Sequence, residues 1–285
     1  MTDGIREANL GTSRAIVDKS HIRLSYVTHF YLDQGDVSAI MDLLRKYENY
    51  ASDLLDKIQF VIVDDGSPLN YVIPEFDLNL IWLKITDNIP WNQSGARNLG
   101  VVHAKSDKVL ITDLDHEFPE ETLRHMVNKK ECGRNCYRIS RLGKITKRHP
   151  NIFLMSRSRY LRFYGYDEEF AGHYGAEDYR FVKIQKYYGT RMVNLSKKYR
   201  CIDRKDIDRN KSYHSLKRDL TYNTPIDARK KQEILTYGPD AGHSRIFLNY
   251  SWKLVKNHSR DVKIIRRKRS LWKHLWYWRW LFGYR

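Results

Sequence analysis

The sequence predicts an α/β fold, a sheet with parallel strands flanked by helices, and three observations carry that expectation. Apolar runs of strand length alternate with segments whose apolar residues return at helical spacing. Two of the runs stop in carboxylates, Val61-Ile62-Val63-Asp64-Asp65-Gly66-Ser67 and Leu110-Ile111-Thr112-Asp113-Leu114-Asp115. In an open α/β sheet ligands bind beyond the carboxyl ends of strands, where both clusters fall. Finally, 285 residues with 13% aromatic content can bury a substantial core, which argues against disorder despite a charged fraction of 30%.

Residues 1–22 are polar and weakly patterned, and read as an arm; their acids and missing apolar stretch are unlike a secretory signal. Leu24–Thr28 reads as the first strand, ending in His29-Phe30-Tyr31. From Asp36 to Leu55 the apolar residues Val37, Ile40, Leu43, Leu44, Tyr47 and Leu54 keep helical spacing. Ile58–Val63 is the second strand, Leu80–Ile85 the third and Lys108–Thr112 the fourth, with a loop and helix over 91–104. Glu120–Lys130 is a helix opened by Pro119, a favoured first-turn residue. Glu177-Asp178 opens an apolar helical segment with Phe181, Val182 and Ile184. Residues 202–245 are polar and rich in Lys and Arg, suited to a lid. The main domain is placed at 23–250, with halves 23–130 and 131–250, and a tail follows at 251–285.

Side chains alternate along an extended backbone, so Asp113 and Asp115 emerge on the same side. Two acids leaving a buried strand together are costly without compensation. Hard divalent ions such as Mg²⁺ or Mn²⁺ supply it, and Mg²⁺ is commonly shared between carboxylates and phosphates. A solvated turn is the plain alternative for D-x-D alone. The three cysteines (Cys132, Cys136, Cys201) lack a second pair or a histidine at zinc-ligand spacing, and read as reduced structural thiols of a cytosolic protein.

With Ser94-Gly95-Ala96-Arg97-Asn98-Leu99-Gly100 between the two acidic clusters, the order and separation of motifs resemble family-2-type glycosyltransferases of the GT-A fold. The resemblance covers roughly 23–215 and implies a Rossmann-like nucleotide-binding mixed sheet. It implies that Asp64 or Asp65 reads the nucleotide base, usually uracil, with Thr28, His29 and Phe30 flanking it as a loop. An acceptor-only carboxylate suits an imide N–H. Arg97 would meet phosphate or base. Asp115 would be the direct metal ligand, with Asp113 on the ribose or an ordered water of the metal site. Gly175-Ala176-Glu177-Asp178 resembles the acceptor-side segment of β-1,4-galactosyltransferases, with Tyr174 where that family has Trp. By that likeness Asp178 is the general base and Glu177 contacts the acceptor hydroxyl. His214, 36 residues after Asp178 in a H-S-x-x-D context, is the third metal ligand, with His243 in reserve.

Net charge is +17, of which residues 252–285, with eleven Lys or Arg against one Asp, hold +10. A nucleic-acid binder would spread a basic stripe over the body, so no nucleic-acid partner is expected. In the tail Arg266-Arg267-Lys268-Arg269 precedes Leu271, Trp272, Leu275, Trp276 and Trp280. A basic cluster beside an indole-rich face suits an in-plane amphipathic helix on an anionic membrane, each charge contributing about 1 kcal/mol near the surface. A core-packed terminal helix is the alternative. The expectation is a metal-dependent inverting transferase using a UDP-sugar, galactose by the E-D segment, and a glycan acceptor, lipid-linked in bacterial surface polysaccharide synthesis. It would be peripheral on the inner face of the cell membrane. A retaining or non-UDP transferase, or a non-enzymatic basic binder, stays open.

Overall fold

The computed structural model describes residues 21–142 and 148–262. The membrane helix expected at 266–285 and nearly all of the N-terminal arm lie outside them. In chain order the elements are β1 (Leu24–Phe30), α1 (Ser38–Glu48), α2 (Ser52–Leu55), β2 (Ile58–Asp64), β3 (Asn79–Ile85), α3 (Gln93–Val102), β4 (Lys108–Asp113) and β5 (His116–Glu117). Then come α4 (Glu120–Asn128), β6 (Asn135–Leu142), β7 (Arg148–Ser156), α5 (Arg157–Arg162) and α6 (Glu177–Tyr187). The last are β8 (Arg191–Asn194), β9 (Arg200–Asp203), α7 (Asn223–Tyr237) and β10 (Trp252–His258).

The strands form one mixed sheet in the order β10-β3-β2-β1-β4-β7-β6-β9-β5, with β8 beside β6. The β3-β2-β1-β4 half is parallel, whereas β7 and β10 run antiparallel to it on either side. Parallel strands are covered on both faces, which explains their continuous apolar runs. Tyr26, Phe60 and Trp82 pack with Ile40, Leu43, Leu44 and Tyr47 of α1 on one face. Val27, Val61, Val63 and Leu83 pack with Ala96 and Leu99 of α3 on the other. A Cβ at Gly100 would stand 2.4 Å from Val27 Cγ1, so the glycine lets α3 lie directly on β1. Lys108, buried at the start of β4, donates from Nζ to the carbonyls of Met126, Val127 and Lys129, capping the C-terminal end of α4.

The expected mixed α/β architecture is thus present, with four local departures. The helix expected over Asp36–Leu55 breaks after Glu48, where Asn49 Nδ2 bonds back to Arg45 O and Tyr50 OH donates to Phe118 O. Thr28–Phe30 belongs to β1, because pairing with β2 continues through Phe30 and pairing with β4 through His29. The polar segment 202–245 contains the 15-residue α7, which has no apolar stripe to announce it: Leu235 and Tyr237 are exposed. The segment expected to open the tail is β10, which completes the sheet edge beside β3. The three cysteines are buried and free. Among the described residues no helix is long and apolar enough to cross a membrane.

Candidate active site

A cavity of about 780 Å³ opens beyond the carboxyl ends of β1, β2 and β4. One wall is His29, Phe30 and Tyr31 with Asp65; the floor is the Asp113–His116 turn. Tyr174 to Asp178 and the 213–220 segment form the opposite side. This is the crevice that strand-end chemistry predicts.

The two acids after β2 separate. Asp64 is buried and occupied, accepting from Ser67 N at 2.7 Å and Tyr71 OH at 2.5 Å, with Lys84 Nζ at 3.1 Å. Asp65 lines the cavity, anchored by its backbone N–H to Phe30 O at 2.8 Å. Its Oδ1 is buried with no partner at hydrogen-bond geometry, and burial, reinforced by Asp64 and only partly offset by the neighbouring Asn92 amide, pushes its carboxyl well above the usual range. A ligand N–H is the donor that atom lacks. His29 also lines the cavity, and burial, helped by the Arg97 charge, lowers its pKa to about 4, so the ring is neutral at pH 7. Thr28 is not in the lining; its hydroxyl donates to Thr112 O and ties β1 to β4.

β4 ends at Asp113, and the chain turns through Leu114-Asp115 into β5. The turn, rather than an extended alternation, makes Asp113, Asp115 and His116 converge, with ligand atoms all within 4.8 Å of one another. Two carboxylates and an imidazole form a donor set that fits a divalent ion, Mn²⁺ in particular. His116 Nδ1 lies 2.9 Å from Asp115 Oδ1, and its Nε2 lies 3.3 Å from Asp203 Oδ1 on the partner strand β9. A carboxylate behind an imidazole is the usual way such a ring is oriented toward a metal. Burial would raise the Asp115 carboxyl, but His116 and Arg209 outweigh it and hold it low. Arg204, buried at the end of β9, donates to Ala39 O and Leu114 O, fixing this turn against α1.

The third ligand expected from sequence is therefore not in the group: His214 lines the same cavity, its ring 5.1 Å from Trp91. His243 lies outside the cavity, buried beside Tyr164 and accepting from Arg245 N. Arg97 is also placed differently from the expectation. It is 1% exposed and bridges the halves, donating to Asp113 Oδ1 at 2.5 Å, to Asp178 Oδ1 and to Tyr166 OH. It compensates two carboxylates from behind, so its fork is not open to a phosphate.

Glu177 and Asp178 open α6, as the sequence suggested. Ala176 just before them has φ 75° and Gly175 φ 105°, and a Cβ on Gly175 would meet Leu220 Cδ2 at 2.4 Å. Strain of this kind gathers at working sites. Asp178 Oδ1 is held by Arg97 and Tyr166, leaving Oδ2 toward the cavity with Gln93 Nε2 at 3.3 Å. Burial raises the Asp178 carboxyl, partly offset by Arg97. Glu177, paired to Gln93, is raised to about 7 by burial and by Asp178, and its Oε2 is buried without a partner. A carboxylate poised near neutrality suits proton transfer. Gln93, Tyr166, His116, Asp203 and Arg204 were not picked out from sequence. Only His116, directly following the D-x-D, carried a signal there.

Residues 41–180 match the model of glycosyl transferase family 2. No curated protein sequence matches the chain. Among solved structures, residues 1–349 of S. aureus TarS with UDP-GlcNAc share 13% identity over 78% of this chain and 68% of that one, at a TM-score of 0.51. Against S. aureus TarS itself the chain spans 40% of the partner's length. The catalytic domain of Drosophila β1,4-galactosyltransferase 7 shares 11% identity over 71% of this chain and 79% of that one, at a TM-score of 0.46. The mannosyltransferase PcManGT of Pyrobaculum calidifontis shares 17% over 73% and 61%, at 0.47. With the fold, the strand-end cavity and the family match together, the chain is a glycosyltransferase of the GT-A fold, and its residues 41–180 match glycosyl transferase family 2.

Proposed function

We propose that the chain moves a sugar from a UDP-sugar to a glycan acceptor, with inversion and with a divalent ion, Mn²⁺ or Mg²⁺. The observation that carries this reading is one cavity holding an unpaired base-reading acid (Asp65), a metal-competent group (Asp113, Asp115, His116) and a buried acid pair (Glu177, Asp178). The UDP-GlcNAc bound by S. aureus TarS supports the UDP donor class. Galactose as the sugar rests on the E-D segment alone.

Asp65 accepts the imide N–H of uracil, while neutral His29 lines the same end. Asp113, Asp115 and His116 would hold the ion, which would supply positive charge against the departing diphosphate. Glu177 orients the acceptor hydroxyl, and Asp178 Oδ2 takes its proton as the oxygen attacks the anomeric carbon. The carbon–oxygen bond to the diphosphate breaks with its electron pair on the diphosphate. Arg97 holds Asp178 and Asp113 in one frame, so the base and the donor site keep a fixed separation.

The basic, Trp-rich residues 266–285 extend the proposal to peripheral attachment on the inner face of the cell membrane, with a lipid-linked acceptor of bacterial surface polysaccharide synthesis. Deleting 266–285 should abolish sedimentation with anionic liposomes; sedimentation that persists sinks the anchor. For the chemistry, UDP-, GDP-, dTDP- and CMP-sugars are incubated with Mn²⁺ and nucleotide release is followed. UDP release alone, and a product anomeric proton of inverted configuration by NMR, are expected. Release from another donor, or retention, would overturn the corresponding part.

A further inference from the structure

Beyond the catalytic cavity, a second depression of about 450 Å³ runs along α6, lined by Tyr179, Val182, Lys183, Lys186 and Tyr187. These positions are i, i+3, i+4, i+7 and i+8, so they form one face of the helix that opens with Glu177-Asp178. Tyr179 and Val182 line both cavities, which makes the depression a continuation of the active site on its acceptor side. Tyr179 and Tyr187 are 53% and 45% exposed, large rings held at the surface about 12 Å apart along the helix. Lys183 Nζ stands 5.5 Å from the Tyr179 ring. Neither Lys183 nor Lys186 has an ion-pair partner among the described residues. Arg138 and Arg141 line the adjoining cavity together with the acids of the catalytic group, whereas the lining of the depression itself holds two lysines and no acid.

We propose that this face of α6 is an acceptor subsite for an acidic glycan chain, with sugar rings lying on Tyr179 and Tyr187 and anionic substituents on Lys183 and Lys186. The proposal rests on the transferase reading above. Exposed rings beside ammonium groups that lack an ion-pair partner recognise a ligand with both apolar ring faces and negative charge. A neutral glycan would leave the lysines unused, and a bare polyanion would leave the rings unused.

The test is affinity electrophoresis of the full chain in gels containing dextran (neutral), alginate (a carboxylated polysaccharide) or polyphosphate (charge without sugar). The Lys183→Gln/Lys186→Gln pair should weaken alginate binding about tenfold. A control pair, Lys205→Gln/Lys253→Gln, removes equal charge from exposed positions outside the depression and should change it little. Tyr187→Ala should weaken alginate binding several-fold and leave polyphosphate binding unchanged. Equal effects of the two lysine pairs, an unaffected alginate affinity in Tyr187→Ala, or alginate binding no better than dextran would each overturn the subsite. UDP release from UDP-sugar into water is followed on the same variants and should be unchanged, since it needs no acceptor. Failure of the unaltered chain to release UDP either into water or onto an added glycan would strike the transferase reading, not the groove.

Discussion

On the proposed nucleotide side of the cavity, His29, Asp65 and Asp113 stand at or just beyond the ends of β1, β2 and β4, three parallel strands locked in register. On the acceptor side, Glu177 and Asp178 are carried by backbone that departs from the common conformations and is pinned by distant segments. Ala176 sits at φ 75°, Leu220 covers Gly175, and Asn223 Nδ2 donates to the carbonyls of Phe170, His173 and Gly175. The sheet dictates the first side, and neighbouring loops dictate the second. The contrast leaves the loop-built side freer to change than the sheet-built side, since loops change without disturbing a core.

The largest expected effect breaks the nucleotide side. Asp115→Ala should cut UDP release on the order of 10³-fold or more while the fold is kept, because the metal group loses a ligand. Release at more than a small fraction of normal would place the ion elsewhere. On the acceptor side Asp178→Asn should lower kcat roughly 10²–10⁴-fold yet leave UDP affinity intact, and a parallel loss of affinity would erase the proposed division of labour. Arg97 joins the two sides. Arg97→Ala strands two carboxylates beside the protein interior and should cost about 3–5 kcal/mol in urea unfolding. A cost near zero would mean that water already compensates them.

Glu177 gives a pH test of the acceptor side. Its folded pKa of about 7 lies above the ordinary carboxyl value of 4.5, so between those values the folded chain binds the proton that the unfolded chain releases. Stability from this group is therefore full below the ordinary value and lost as pH rises toward 7, by on the order of 2–3 kcal/mol. In metal-free buffer Glu177→Gln should raise Tm above pH 7 and change it little near pH 4; a uniform shift would contradict the buried, raised carboxyl. The smallest effect is expected from Ala176→Gly, which relieves the left-handed backbone and should stabilise by about 1 kcal/mol, or roughly 2–4 °C in Tm.

The same contrast explains what could be read from the sequence. The parallel strands, the helix over 93–102 and both acidic clusters are local patterns, so composition and period reveal them. Choosing Asp65 over Asp64 was not possible there, because the choice depends on Tyr71 and Lys84 claiming Asp64 across the sheet. Arg97 read as a phosphate contact because an arginine in a glycine-rich helix start gives no hint of two buried acids around it. His116 and Asp203 meet only through pairing of β5 with β9, far apart in sequence. α7 escaped notice because its only fully buried members are Asn223 and Lys230, held by polar contacts rather than an apolar face.

The central claim is that Asp113, Asp115 and His116 form the ion site that holds the donor diphosphate. Calorimetric titration of the full chain with UDP, with Mn²⁺ and then with EDTA, tests it most directly. Binding that requires Mn²⁺ and disappears in His116→Ala is the predicted result, with His214→Ala retaining the dependence on the ion. UDP binding indifferent to EDTA, or Mn²⁺ dependence lost with His214 and kept without His116, would contradict it.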